Sequence, residues 1–453
     1  MTESAKRPSL AHRVEYALYL RMEGLLGQIP LDVVTILGEV LATGVRLVSR
    51  KHRQLVTRNL RIATAADRPA EAERERMVRD TFRRAGRNLL GSLRSAMMTP
   101  EELFPYLRVR GVHHLADRAS AGLGTVLSWA HMGNWEMLAQ AHSHLGRYRS
   151  GGPIYRPLEN PLLDALTVER RTNQGAAVFS KHDGFMGPAK VVREGGLVTV
   201  MSDQRAGGHG ELCPFFGRLS SCTPLPSLLA RRARSRIVTL SIVSADDGTW
   251  TMTLRPVPEQ VGTAELMQHL ETAMRDQITD VFWFHDRWRV DRTRPLSFYT
   301  KASPTEPAQA ATVPTRLLAT LPADAPEAIA ALTRILEVRP DARIDVLDDG
   351  NLPPLPEDDR IQRVWWASDA PPEHYPGVLE RSDGNHPAPL DFALLLDGNR
   401  ALAKAARRFG LRSVIGCGPN GKPFTRSFPR PTGEAGWREL ADALVATPSS
   451  GAS

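Results

Sequence analysis

Cysteine is scarce: Cys213, Cys222 and Cys417 are the only three in 453 residues, widely placed and without a Cys-x-x-Cys pair. Neither a disulfide framework nor a zinc site is indicated, and a reducing cytosolic setting is the simplest account. Long apolar runs are missing too. From Val14 to Val48 two apolar helical segments are separated by Pro30, and Glu23, Asp32, Glu39 and Arg46 interrupt them. No stretch of about 18 uncharged apolar residues remains, so no transmembrane helix is expected. Residues 1–13 are polar, with Lys6, Arg7 and Arg13 but no small-residue cleavage site after an apolar core, so no secretory signal is expected. A Gly-x-Ser-x-Gly elbow is absent as well, and with it any hint of a serine acyl-enzyme.

Acidic residues are short only in one part of the chain. Residues 301–453 carry 17 Lys/Arg against 20 Asp/Glu, whereas residues 1–300 carry 41 against 30. A basic first part suits an anionic partner: a phospholipid surface, an acidic carrier protein or nucleic acid. Composition does not choose among these, but no nucleic-acid motif or basic-aromatic platform is present, so no nucleic acid is expected. Arg46, Arg50, Lys51, Arg53, Arg58 and Arg61 directly follow the apolar segment, which predicts a helix lying on a membrane surface beside a basic collar. The alternative is an ordinary buried helix with a solvated polar end. Residues 51–98 read as helical throughout, with Met77, Phe82, Leu89, Leu90 and Leu93 on an apolar side and a solvated charged face.

The chain is organised around residues 125–136, Thr-Val-Leu-Ser-Trp-Ala-His-Met-Gly-Asn-Trp-Glu. Thr125 to Ala130 reads as a buried strand, His131 and Gly133 break it, and Asn134 is a good N-cap for a helix from Trp135 towards Gly146. On one continuous helix, residues five apart point about 140° away from each other, so His131 and Glu136 would not meet. With His131 on the turn and Glu136 in the first helical turn, the carboxylate can reach back to the imidazole, fix its tautomer and raise its basicity. The plainer alternative is a strand-to-helix corner with a capping histidine.

His-Met-Gly-Asn-Trp-Glu after an apolar strand resembles the catalytic block of the late lipid A acyltransferases, the lauroyl and myristoyl transferases of Gram-negative bacteria. Further blocks stand before and after it in the order those enzymes show. They are Arg58-Asn59-Leu60-Arg61, Tyr155 to Asp164, Arg171, Arg193-Glu194-Gly195-Gly196, Asp203-Gln204, Pro214-Phe215-Phe216-Gly217 and the closing Phe282 to Arg289. The resemblance covers about residues 10–295. It implies acyl transfer from an acyl carrier protein, or less often from acyl-CoA, to a hydroxyl of lipid A or a related glycolipid. It also implies the cytoplasmic face of the inner membrane, in peripheral or monotopic attachment, and no cofactor or metal.

In that reading His131 is the general base with Glu136 as its partner. Arg156 and Arg171 are expected to anchor substrate, because guanidinium groups grip phosphate in two-pronged geometry, with a structural ion pair as the alternative for each. Asp203 at a strand end is expected to orient an arginine or a substrate hydroxyl, or to cap the next turn. Phe215 and Phe216 read as core in a loop, and no catalytic role is assigned to His285.

The expected fold class is α/β. A helical membrane-contact segment, 1–98, precedes a mixed-sheet acyltransferase core, 99–300. A Pro/Ala/Thr-rich linker, 301–315, leads to a small βαβ Rossmann-like domain, 316–453. Leu321-Pro322, Pro340 to Ile344, Asp391 to Leu396 and Ser413 to Gly416 resemble the N-terminal half of a heptosyltransferase-type glycosyltransferase. Pro326-Glu327 stands where those enzymes carry Gly-Asp, and no second nucleotide-sugar-binding half follows, which implies an inactive relic. The competing function class is a non-catalytic or bifunctional glycolipid-binding scaffold built on that domain.

Overall fold

A computed structural model describes residues 8–138, 148, 150–173, 177–180, 184–291, 294–298, 308–367, 371–418 and 421–445. It divides into two compact units that interleave in sequence. The first takes in Met1–Val56, Glu75–Gln204 and Thr223–His285; the second takes in Thr57–Arg74, Arg205–Cys222 and Asp286–Ser453.

Four helices open the chain: α1 (Leu10–Gly27), α2 (Leu31–Val48), α3 (Arg50–Ala63) and α4 (Glu71–Ser95). Ser9 caps α1 in a reciprocal box with His12, and Pro30 separates α1 from α2 as the sequence predicts. The continuous helix expected over 51–98 is instead broken between Ala63 and Glu71. The buried face of α4 also differs from the expected leucine stripe. Leu89 is exposed, while Phe82, Ala85, Gly86, Asn88, Gly91, Ser92 and Ser95 face inward. Small residues permit a close approach: a Cβ at Gly38 or Gly86 would overlap the other's carbonyl oxygen where α2 crosses α4. Two of the charges assigned to a solvated face also turn inward, Arg84 to the Ser244 carbonyl at 2.6 Å and Arg87 to the Ala245 carbonyl.

Among the described residues nine strands follow: β1 (Leu107–Arg110), β2 (Thr125–Trp129), β3 (Gly151–Tyr155), β4 (Phe179–Ser180), β5 (Leu197–Met201), β6 (Glu211–Phe215), β7 (Arg218–Cys222), β8 (Arg236–Ser244) and β9 (Trp250–Pro256). All but β6 and β7 form a seven-stranded mixed sheet in the order β1-β9-β8-β2-β5-β3-β4, with β8 and β9 antiparallel and every other pair parallel. β2 lies at its centre and all five of its residues are buried, which is why it carries no charged residue and reads as a short, mainly apolar run. Leu127, Trp129, Leu197, Val238, Leu240 and Trp250 are among the residues of the core.

β6 and β7 belong to the second unit and form a hairpin where a loop was expected. Phe216 and Gly217 are its two turn residues, both with positive φ, at 50° and 73°. That is the two-residue connection whose twist matches paired strands. Phe215 and Phe216 are buried, as the core reading has them.

The rest of the second unit is a wholly parallel sheet of β10 (Thr315–Thr320), β11 (Ala342–Asp348), β12 (Ile361–Trp365), β13 (Leu390–Leu395), β14 (Ser413–Cys417) and β15 (Arg426–Phe428), in the order β12-β11-β10-β13-β14-β15. The order reverses between β10 and β13, the arrangement of a doubly wound, Rossmann-like sheet. Helices Ile329–Val338 and Gly433–Val445 supply one core with Leu317, Ile344 and Phe392. Helices Tyr375–Gly384 and Arg400–Phe409 supply the other with Leu318, Leu347 and Val414. The second half of the expected linker is structured: Ala308 and Val313 are buried, the amides of Thr312 and Val313 bond the Gly217 carbonyl, and Thr315 begins β10. Residues 301–307 lie outside the described residues.

Candidate active site

The parallel register pairs Trp129, the last residue of β2, with Met201, the last of β5. His131 and Asp203 each lie two residues further on, so the sheet delivers both to one place. A bond of 2.8 Å from the Ser202 amide to the Trp129 carbonyl and one of 2.9 Å between the Ser128 and Ser202 hydroxyls hold the strand ends together. Nδ1–H of His131 donates to the Asp203 carboxylate, at 2.9 and 3.2 Å to its two oxygens.

Burial would push the Asp203 carboxyl up, but the charges of His131 and His285 and the bond from His131 hold it well below the usual carboxylate range. Asp203 is therefore ionised and accepts. Burial works the other way on His131 and pushes it down. The charge and hydrogen bond of Asp203, with the more modest charge of Glu136, outweigh that and raise the imidazole above its ordinary value. With its proton fixed on Nδ1, the neutral ring keeps its lone pair on Nε2.

The turn that carries His131 is pinned from below. Gly133 has φ +60°, and a Cβ there would overlap the Ile242 carbonyl, so only glycine fits. Its amide bonds the Asp280 carbonyl at 3.1 Å, the Phe282 amide bonds the His131 carbonyl at 2.8 Å, and Met132 bridges Val281. The buried Asp280 side chain in turn accepts from Asn88, Arg84, and the amide and hydroxyl of Ser244. Burial raises its pKa, and Arg84 and these bonds offset only part of that. The sequence carried no local signal for this anchor. Rings close the flank: Trp135 meets His131 edge-on at 5.5 Å between centroids, and Phe282 packs on Trp135 at 5.6 Å. His285 stands 6.3 Å from His131, its Nε2 3.8 Å from Asp203.

Glu136 does not reach His131 as expected; its carboxylate is 3.3 Å from Nη2 of Arg171. Two features of the chain account for this. Trp135 and Glu136 still belong to the turn, helical geometry beginning only at Met137, and β5 places Asp203 directly against Nδ1. Asn134 is not spent on a cap either: fully buried, it accepts from Ser92 at 2.8 Å and donates to Ser95 at 3.0 Å, tying the turn to α4. The helix expected to run to Gly146 lies, from residue 139, outside the described residues.

These groups stand at a cavity of about 650 Å³, inside the roughly 300–1,000 Å³ range of ligand pockets. His131, Glu136, Arg156, Arg171 and Gln204 line it together with the apolar Trp129, Trp135, Leu138, Ile154, Val200, Met201 and Leu225. Arg156 is exposed, just past β3, and Arg171 is on helix Pro161–Asn173. Asn160 precedes that helix and accepts from the Leu162 amide at 3.0 Å, and Arg170 grips Glu23 of α1 in a two-pronged pair at 2.5 and 2.7 Å. The structure thus brings all five expected site residues to one region, four on the cavity wall and Asp203 behind His131.

Residues 3–290 match the family described as bacterial lipid A biosynthesis acyltransferase. A lipid A biosynthesis acyltransferase of Haemophilus influenzae is 26% identical over 259 residues, 55% of this chain and 80% of that protein. A lipid A biosynthesis lauroyltransferase of Escherichia coli is 23% identical over 281 residues, 60% of this chain and 89% of that protein. A family 9 glycosyl transferase of Veillonella parvula overlays 30% of this chain and 42% of its own with a TM-score of 0.26 and 11% identity, too slight a likeness to carry weight. Resemblance of the motifs and the match over residues 3–290 agree, and the chain is an acyltransferase that belongs to the bacterial lipid A biosynthesis acyltransferase family.

Proposed function

We propose that the first unit moves a fatty acyl chain from a thioester donor to a hydroxyl of lipid A or a related glycolipid, at the cytoplasmic face of the inner membrane. The observation that carries this is the His131–Asp203 pair at a largely apolar cavity of about 650 Å³. An alcohol is a poor nucleophile until a base takes its proton. Nε2 of His131 accepts that proton as the hydroxyl oxygen attacks the thioester carbon. The tetrahedral intermediate then expels the thiolate, which recovers the proton from Nε2–H, so no covalent acyl-enzyme forms. Asp203 holds the ring and stabilises the imidazolium. Glu136 adds negative charge near the ring, and Arg156 and Arg171 offer guanidinium groups to a phosphate or to the developing oxyanion. The donor is an acyl carrier protein or acyl-CoA.

Membrane attachment is read from α1 and α2. Leu10, Val14, Leu18 and Leu25 of the first and Ile36, Val40, Leu41 and Val48 of the second are exposed. Among the described residues no helix is long and apolar enough to cross a membrane. An apolar surface of this extent suits a helix pair lying in the lipid interface. The basic collar is smaller than expected, because Arg61 pairs with Asp383 and Arg58 is largely enclosed. Residues 316–453 are read as an accessory domain without glycosyl transfer.

The test is mass spectrometry of membrane lipids from cells making the intact chain or His131→Ala at matched protein level. A glycolipid heavier by one acyl chain is expected only with the intact chain, and the same species in both would remove His131 from the base role.

A further inference from the structure

We propose that the second unit holds an oxyanion site that takes the phosphate group of a small phosphorylated molecule. The site is a cavity of about 60 Å³ among the β6–β7 hairpin, the segment after Trp288 and the sheet. Its sheet residues are Thr315 at the start of β10, Asp391 at the second position of β13 and Arg412 just before β14. The site therefore lies at the strand beginnings, away from the strand ends where doubly wound sheets hold their usual ligands.

Charge on its wall is unbalanced. Arg205, Arg218, Arg289, Arg339 and Arg412 face a single carboxylate, Asp391. Arg339 is matched elsewhere, by Asp341 at 2.7 and 2.8 Å. Asp391 is shared, accepting from Arg218 at 2.9 Å and standing 3.4 Å from Nε of Arg412. Arg412 also reaches the Trp288 carbonyl and Asp286 through Nη1. Its side chain is 3% exposed, yet among the described residues Nη2 has no hydrogen-bond partner, and neither has Nε of the equally buried Arg218. A buried charged donor left unbonded is costly, and a native fold retains one where something else completes it. The enclosed Arg58 reports the same excess: burial first and then the charge of Arg412 pull its pKa down to about 10, against the pull of Asp286 and Asp391.

Size selects the ligand. One water needs roughly 10–15 Å³, so about 60 Å³ admits a tetrahedral anion but no sugar or nucleotide. The phosphate enters, and the rest of its molecule stays at the rim beside the exposed Arg289 and half-buried Arg205. Guanidinium forks suit that geometry.

This site is independent of the acyl-transfer reading, and its test uses the full chain. Titration calorimetry with inorganic phosphate, against chloride at equal ionic strength, is expected to show saturable binding. Arg412→Gln is expected to weaken it about ten- to hundredfold, the loss of one charge-assisted bond. The rim pair Arg205→Gln with Arg289→Gln keeps the question open to test if Arg412→Gln does not fold, and it is expected to weaken binding too. Glucosamine 1-phosphate separates the sources: tighter binding than inorganic phosphate assigns a sugar phosphate, and equal binding assigns the free ion, either of which upholds the site. No phosphate binding by the intact chain, or equal binding by the variants, overturns it.

Discussion

What distinguishes His131 from any histidine at a strand end is the ionised, fully buried carboxylate behind Nδ1 and the cavity in front of it. A base works unprotonated, so the proposed acyl transfer falls as pH drops through a His131 pKa that its neighbours have raised. Asp203→Asn removes the charge doing most of the raising and leaves burial to push the ring down. Its acid limb is therefore expected to move to lower pH, while the plateau falls by about 10²-fold or more as the tautomer is lost. Glu136→Gln removes the smaller contribution and is expected to move the limb the same way, but less. Rate–pH profiles of the two variants check this; a larger shift for Glu136→Gln would return the partner role to that residue. The sequence exposed His131 through the break after an apolar run and exposed Asp203 through the end of another. It did not expose their meeting, because that depends on β2 and β5 pairing in parallel across some seventy residues of chain, which no local spacing encodes. The local i, i+5 spacing pointed to Glu136 instead, and the extended turn before Met137 defeats it.

At the scale of the element, α1 and α2 were legible from their apolar runs and the proline between them, since helix breaks at proline are local chemistry. α4 was legible as a helix, but its inward face was not, because non-local partners choose it. Asn88 serves Trp250 at 2.8 Å and Asp280 at 2.9 Å, Ser92 and Ser95 serve Asn134, and Gly86 admits α2. Leu89 on the same helix is left outside and Leu90 and Leu93 are only half-buried, so an apolar-stripe reading rotates it wrongly. The outward apolar face of α2 makes a prediction of its own. Ile36→Ser with Val40→Ser alters only exposed side chains and is expected to leave the fold intact. Each side chain withdrawn from lipid forfeits on the order of 1.5 kcal/mol, so partition onto anionic phospholipid vesicles is expected to weaken about tenfold or more. Vesicle flotation measures it, and unchanged partition would place the contact elsewhere.

For the whole molecule, the composition change near residue 301 marks where a new sheet begins but not where the structural unit does. The second unit also takes in Thr57–Arg74 and the hairpin of β6 and β7. The βαβ pattern expected over 316–453 rests on β10, β11 and β13, which are almost wholly buried, whereas β12 and β15 are only partly buried and carry no apolar run to read. The hairpin is fastened by Arg218, which donates to Asp391 at 2.9 Å and to the Pro314 carbonyl at 2.6 Å, with both side chains of the pair almost wholly buried. Arg218 and Arg412 tie residues distant in sequence into one charge system around Asp391: burial alone would raise its carboxyl, but the two guanidinium groups keep it ionised and below the usual range. Removing Arg218 breaks a buried charge-assisted bond and leaves Asp391 with Arg412 as its remaining cation, so Arg218→Met is expected to cost about 1.5–3 kcal/mol of the second unit's stability. Adding Asp391→Leu removes that carboxylate, while Arg412 retains Asp286. The double variant is therefore expected to be less destabilised than the sum of the two single ones, by about 1–3 kcal/mol of coupling. Thermal unfolding of the four proteins measures it; additive losses would mean that the hairpin is held by its apolar contacts with Ala308 and Phe298 and not by this pair.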